Sequence, residues 1–467
     1  MYVGETGCPC VVCVCVFFCK QKTAYEVLRS LVGSEMCIRD RNSITLFIFR
    51  SNARGMQYGI GTYLHELTEA LLSNTNLKIV LVSYKSTDVK EISILKTTDR
   101  HIEVKIPQPL IPIKLNNAFD NKYASTVSKL LFKMIPQNEQ VIFQFNYIDD
   151  LPFLLKVKEY FDFPVISIVH FAHFQQIFEG KIMKISGLNL DKPTDNIEFT
   201  LSREREMYRQ SDHIVSVTRY MKDFLIDEYG INPDKISVIK NGLNQKNNEQ
   251  VSEKETTEIR KRFGFGENEI ILLFSGRIDT CKGINYLMEA FEQACIKNNS
   301  LRLVMLGQGS IQDCQERIQS CFGKVTYTGF LPRETVTEFY KIADIGIVPS
   351  VYDHCPYSVL EMMANGIPLI MTRINGLDEL LSDEECVFIN PVISSEGDIS
   401  FSIEEITGSI LSLAADKERR TRLAAKSYET YMKRFTAAGM AESMHKLFYS
   451  LLKQRKPVAE NETSQGR

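Results

Sequence analysis

The chain has 467 residues, enough for two domains of ordinary size, each with its own core. Hydrophobic residues make up 44% and charged residues 24%, the balance of a soluble globular protein. A formal net charge of −3 gives no polyanion-binding signature, so nucleic acid is not expected as a partner.

Six of the twelve cysteines (Cys8, Cys10, Cys13, Cys15, Cys19 and Cys37) fall within the first 37 residues. The other six are scattered without paired spacing, which suits free thiols in a reducing compartment. The head, GCPCVVCVCVFFCKQKTAYEVLRSLVGSEMCIRD, has a short apolar run with no basic residue before it, a poor secretory signal and too short to span a bilayer. Its stretch KQKTAYEVLRSLVGSEMCIRD resembles a translated adapter or vector leader, and residues 1–41 are expected to be foreign to the fold. A Cys-rich metal-binding head is the alternative, but C-x-C-x2-C-x-C lacks a settled zinc spacing.

From Ser43 onward short apolar runs alternate with amphipathic ones, the pattern of parallel sheets flanked by helices. ITLFIF, KIVLVSY, QVIFQF, PVISIV and HIVSV read as strands of one doubly wound domain over 42–240. A helix from Thr62 to Leu72 places Leu64, Leu67 and Leu71 on one face. Residues 241–257 are polar and lack apolar periodicity, so a linker is predicted. A second doubly wound domain over 258–434 follows, with strands in EIILLFS, LRLVML, KVTYTGF, IGIVPS and PLIMT and helices from about Asn285 and around Phe339. A last helix over 435–452 carries Met440, Met444, Leu447, Phe448 and Leu451 on one side, and the polar tail 453–467 is expected to be disordered. Two such Rossmann-like α/β domains imply a cleft facing the carboxyl ends of both sheets.

Four features lie where that cleft would be. GMQYGIGTYLHEL, after the first strand, sets Gly59 and Gly61 at a sharp turn into a helix, which would let a ligand approach the backbone, although a bare tight turn gives the same pattern. It lacks the third glycine of a nicotinamide fingerprint and the Gly-Lys-Ser/Thr of a P-loop. FSGRIDTCKG places Arg277 and Lys282 between a strand and a helix, a fork and a point charge suited to a diphosphate, with solvated surface charges as the bland alternative. LGQGS puts Gly307 and Gly309 at a strand end, where they would keep the cleft edge bare.

The fourth feature is PSVYDHCPYSVLEMMANG at 349–366. Asp353, His354 and Cys355 are contiguous, and neighbouring side chains of an extended segment point to opposite faces, so they cannot readily converge on one ion. Ser358-Val-Leu-Glu361 has the spacing of a capping box, predicting a short helix over about Val359–Asn365 that ends at Gly366.

In order, GIG, the Asn241-Gly242 that follows VIK, GR with KG, and the acid pair Asp353 and Glu361 before ANGIPLIMT resemble the GT-B glycosyltransferases of family 4 over about residues 44–452. The family pattern is Glu-x7-Glu, so Asp353 departs from it by one methylene, which bears on sugar identity. The resemblance implies that Arg277 and Lys282 grip a donor diphosphate, Glu361 binds the ribose and Gly61 approaches the phosphates. Asp353 and His170, the residue after PVISIV, would act at the sugar, and Leu331 would line the base pocket. The capping-box and ribose readings of Glu361 stay open, and a core histidine is the alternative for His170. Cys355 and Pro356 would only shape their loop.

The same resemblance implies a retaining, metal-independent transferase of the hexosyltransferase type. It needs no cofactor beyond a nucleoside-diphosphate sugar, and it acts in the cytoplasm on a glycan, lipid or peptide acceptor hydroxyl, with peripheral membrane contact left open. Stretches 107–123 and 175–200 would carry acceptor identity. A nucleotide-sugar epimerase and a non-catalytic sugar-nucleotide binding protein are the competing readings.

Overall fold

The computed structural model of the chain describes residues 44–51, 59–108, 117–135, 140–178, 181, 185, 195–244, 252–310, 312, 314, 316–318, 320–374 and 376–454. The head 1–41, the tail from 455 and parts of the two expected acceptor stretches lie outside the described residues.

The first half contributes β1 (Ile44–Ser51), β2 (Lys78–Ser86), β3 (Ser93–Thr98), β4 (His101–Pro107), β5 (Gln140–Phe145), β6 (Val165–Val169), β7 (His213–Ser216) and β8 (Ile236–Val238). They form one sheet in the order β3-β4-β2-β1-β5-β6-β7-β8, parallel except for the β3–β4 pair. The second half contributes β9 (Ile270–Ser275), β10 (Leu301–Leu306), β11 (Val325–Gly329), β12 (Ile345–Val348), β13 (Leu369–Thr372) and β14 (Val387–Ile389), all parallel, in the order β11-β10-β9-β12-β13-β14. Central strands are covered by helices on both faces and so read as continuous apolar runs; β1 is buried from Ile44 to Phe49 and β9 from Ile271 to Phe274. The strand order reverses beside β1 in one sheet and beside β9 in the other, the position where ligands bind in such folds.

The predicted linker is shorter than its polarity suggests. Residues 253–257 open a helix, Glu253–Arg262, whose N-cap Ser252 accepts a hydrogen bond from the Glu255 N–H at 3.2 Å. Ile259 is the helix's buried residue, and one apolar side chain in ten residues leaves no periodicity to detect.

The chain crosses between the halves twice, and the crossings pair with each other. Leu243 N–H donates to Phe435 O at 2.9 Å, and Ala437 N–H donates to Leu243 O at 3.0 Å. After the second crossing, helix Ala437–Gln454 returns to the first half and packs on helix Gly59–Asn74, burying Met440, Met444, Leu447, Phe448 and Leu451. Leu64, Leu67 and Leu71 are buried in the same apolar cluster. Asn241-Gly242 thereby gains a structural meaning, because a Cβ on Gly242 would lie 2.5 Å from Thr436 O, a backbone atom of the other crossing.

Gly242→Ala is therefore expected to force the crossings apart and to cost about 1–3 kcal/mol, the range for overpacking. Chemical unfolding checks this; an unchanged midpoint would show that the crossings tolerate separation.

Candidate functional site

A cavity of about 310 Å³ lies between the two halves, lined among others by Arg277, Lys282, Leu331, Asp353 and Glu361. Five of the seven residues expected at the site thus share one cavity.

Its floor is built by the loops after β9 and β10. A Cβ on Gly307, whose φ is +139°, would overlap Gly276 O, and one on Gly309 would overlap Ile278 O. These glycines are required by two backbones packed against each other, and the bare cleft edge is a consequence of that packing. Past β9, Asp279 caps the turn Thr280–Lys282, its Oδ1 accepting the Lys282 N–H at 3.0 Å, while its Oδ2 lies 3.3 Å from Arg277 Nη1. Arg277 remains 42% exposed and lines the cavity.

Lys282 is not a lone cation. Its Nζ is ion-paired with Asp353 Oδ2, which also accepts from Ser350 Oγ at 3.4 Å, and Asp353 Oδ1 accepts the His354 N–H at 3.1 Å. The three contiguous candidate ligands diverge: Asp353 goes to Lys282, the His354 ring packs on Tyr352 and Tyr220, and Cys355 is buried. Burial pushes the Cys355 thiol up to about 12, so it is no nucleophile at neutral pH. None of the six cysteines among the described residues is in a disulfide. No group of three or more His, Cys, Asp or Glu side chains among the described residues could hold a metal ion.

The short helix begins earlier than expected, at Tyr357, with Pro356 at the N-cap, and ends at Ala364. Ser358 is therefore inside the first turn and makes no capping box, because Pro356 has already set the helical start. Pro356, Tyr357 and Ser358 line the cavity, so the helix N-terminus faces it. Glu361, one turn on, accepts a hydrogen bond from Tyr340 OH at 2.6 Å. Burial raises its pKa above the ordinary carboxylate range, against the Tyr340 hydrogen bond and the charge of Arg333, which lower it.

Two expected residues lie elsewhere. Gly61 is half-buried in the first turn of helix Gly59–Asn74, and the cavity is lined from that side by Gly59 and Thr62, which share a helical face that Gly61 does not. His170 stands at the carboxyl end of β6, as expected, but lines a separate pocket of about 20 Å³ with His173 and Glu204. Its ring meets Tyr63 edge-on, centroids 4.6 Å apart. Packing pushes its pKa down to about 3, so the imidazole is neutral at physiological pH, and its buried Nε2 has no hydrogen-bond partner among the described residues.

Other contributors have no local sequence signal. Tyr352 OH bridges to the backbone of Ala172, 3.1 Å from both its N and its O, tying the Asp353 loop to the segment after His170. Buried Glu66 accepts from Arg333 Nη2 at 2.9 Å and from the Asn244 N–H at 2.7 Å, joining the first helix, the crossing and the cavity rim. Phe330, 66% exposed, stands beside Leu331 at that rim.

Comparison with known proteins bears on the fold that holds this site. Residues 255–430 match the family model described as Glycosyl transferases group 1, and residues 58–246 match Glycosyltransferase Family 4. The fold is that of the GT-B glycosyltransferases. An uncharacterized glycosyltransferase of Methanocaldococcus jannaschii is 30% identical over 223 residues, covering 46% of this chain and 55% of its own. Mannosylfructose-phosphate synthase of Agrobacterium fabrum is 28% identical over 240 residues, covering 48% and 52%. The chain thus spans about half the length of these curated relatives. Among solved structures, sucrose-phosphate synthase from Thermosynechococcus elongatus superposes with a TM-score of 0.69 at 16% identity over 88% of this chain and 100% of its own. Anabaena HepE in complex with UDP and glucose gives 0.64 at 13% identity over 87% and 99%. No helix of the described residues is long and apolar enough to cross a membrane.

If Glu361 accepts hydrogen bonds from a ribose, its ionised form accepts them most strongly, so nucleoside diphosphate affinity is greatest above its raised pKa and weakens as pH falls through it. Tyr340→Phe removes a bond that lowers this pKa. The variant is expected to begin losing affinity at higher pH than the wild type, measured by calorimetric titration across pH. Superimposable profiles would remove Glu361 from the ligand.

Proposed function

We propose that the protein is a retaining glycosyltransferase that moves a sugar from a nucleoside-diphosphate sugar to an acceptor hydroxyl. The observation that carries this reading is the single cavity holding Arg277, Lys282, Asp353 and Glu361 beneath a helix N-terminus. The likeness to a structure solved with UDP and glucose is consistent with a donor of this kind.

In this reading the diphosphate lies between the Arg277 fork and Lys282, the ribose on Glu361, and the base against Leu331 and Phe330. The sugar lies by Asp353, whose position is fixed by Lys282. As the bond from the anomeric carbon to the diphosphate oxygen breaks, negative charge gathers on the leaving group, and both cations and the Tyr357 helix start favour it. The acceptor oxygen bonds to the same face of the anomeric carbon, and its proton passes to the departing phosphate oxygen. No divalent metal is required, because Arg277 and Lys282 neutralise the charge. His170, neutral and with an unpartnered Nε2, lies in its own small pocket, tied to the Asp353 loop through Tyr352 and Ala172, and is proposed to contact the sugar from there.

A panel of uridine, guanosine and adenosine diphosphates is expected to raise the melting temperature with at least one member, since a ligand at 100 times its dissociation constant adds about 2.7 kcal/mol. Arg277→Ala removes a charge-assisted contact of roughly 1.5–3 kcal/mol and should weaken that ligand more than about tenfold. Turnover should survive EDTA, and loss restored by magnesium or manganese would reject the metal-free reading. A panel without any shift would reject the donor site.

His170→Ala is expected to lower turnover while leaving diphosphate affinity nearly intact, as for a group that matters when charge develops on the sugar. Steady-state kinetics beside calorimetry test this. Full turnover in a folded variant makes the histidine structural.

A further inference from the structure

The segment after β6 carries His170, and it is held from both halves at adjacent residues. Within the first half, the His173 N–H donates to Oε1 of buried Glu204 at 2.7 Å. From the second half, Tyr352 OH accepts the Ala172 N–H and donates to Ala172 O, both at 3.1 Å. Ala172 is fully buried and Tyr352 nearly so. Burial keeps the Tyr352 pKa well above its ordinary value, so the hydroxyl retains the proton it donates. The backbone of Tyr352 belongs to the donor loop: its N–H donates to Cys281 O at 3.2 Å, beside Lys282, and the next residue is Asp353.

We propose that Tyr352 is a positioning residue, setting His170 against Asp353 while contributing little to how the two halves dock. The proposal rests on the glycosyltransferase reading, in which these two residues act at the sugar from opposite halves. The route between them is short: one peptide bond from Asp353 to Tyr352, the two hydrogen bonds of the tyrosine hydroxyl, and two residues back from Ala172 to His170. Docking has other supports. Glu379 accepts the N–H groups of Arg219 and Tyr220, at 2.8 and 2.6 Å, at the start of helix Arg219–Tyr229. The Asn241 amide reaches Cys355 O at 2.7 Å, and the crossings pair at Leu243. None of these three contacts involves residues 170–173. Loss of the Tyr352 hydroxyl would therefore leave the halves joined and release only the segment that carries His170, with the Ala172 N–H left buried and without its acceptor. A shift of about 1 Å in a group that must meet the reacting atoms can cost about a hundredfold in rate.

Tyr352→Phe in the full chain tests this, because it keeps the ring, which packs edge-on against His354 with centroids 4.9 Å apart, and removes only the hydroxyl. Two quantities are read: calorimetric nucleoside diphosphate affinity, and release of nucleoside diphosphate from UDP-glucose, GDP-mannose and ADP-glucose into water, which needs no acceptor. With the donor that the wild type hydrolyses fastest, Tyr352→Phe should slow release about tenfold or more and change diphosphate affinity less than about twofold. In a His170→Ala background the same change should slow release less than about twofold further, because no imidazole is left to place. A tyrosine that only stabilises the fold would act by the same factor in both backgrounds. Ala172→Pro, which deletes the N–H on the other side of the contact, gives the same comparison if Tyr352→Phe does not fold. Equal factors in the two backgrounds, weakened diphosphate binding, or release at the wild-type rate would each overturn the positioning role. Wild-type release from His170→Ala, or a wild-type protein that binds a diphosphate yet hydrolyses none of the donors, would instead contradict the reading beneath it and leave Tyr352 a docking contact.

Discussion

Between the two sheets the chain crosses twice, and those crossings hydrogen-bond to each other at Leu243, Phe435 and Ala437. Gly242 sits against Thr436 with no room for a side chain, and Tyr431 OH donates to Leu243 O at 2.8 Å. Buried Glu66 accepts the next backbone N–H, that of Asn244, and reaches Arg333 at the cavity rim. Removing either partner from a buried carboxylate is costly, which makes this knot a fixed point for both halves. The side-chain amide of Asn241 donates to Cys355 O at 2.7 Å, so the same segment holds the loop that delivers Asp353 and the helix from Tyr357. The width of the cleft follows from these contacts, and the chemistry proposed for it depends on that width.

Within the cleft, charge is arranged in opposed pairs. Lys282 is matched by Asp353, and Arg277, 3.3 Å from Asp279, keeps much of its surface in solvent. In the proposed reading an incoming diphosphate meets one cation fixed by an ion pair and one that keeps much of its surface exposed. Glu361 is held in the opposite balance, its carboxylate opposed by burial and favoured by Tyr340 and Arg333. The carboxylate proposed for the ribose hydroxyls is thus held by a tyrosine hydroxyl, while the acid proposed to act at the sugar is pinned by an ion pair.

What could be read from the sequence divides along physical lines. Strands buried on both faces, such as β1, β6 and β9, are unbroken apolar runs and were legible; β3, mostly exposed, and the three-residue β8 and β14 were not. Motifs whose members lie close in the chain, Arg277 with Lys282 and Asp353 with Glu361, reach one cavity. Helix phase was less accessible: a proline moved one start forward, so Ser358 caps nothing, and Gly59 took the place given to Gly61. Pairings across the fold left no trace in local spacing. Tyr352 lies 180 positions from Ala172 and Arg333 lies 267 from Glu66, and without the fold no pattern brings them together.

Amide hydrogen exchange, measured with and without the nucleoside diphosphate that gives the largest thermal shift, tests most directly whether this cleft is the nucleotide site. The account predicts slowed exchange concentrated in residues 276–283, 329–331 and 350–361, with the outer strands of both sheets unchanged. Slowing confined to other surfaces, or none in the loop from Gly276 to Gly283, would contradict it.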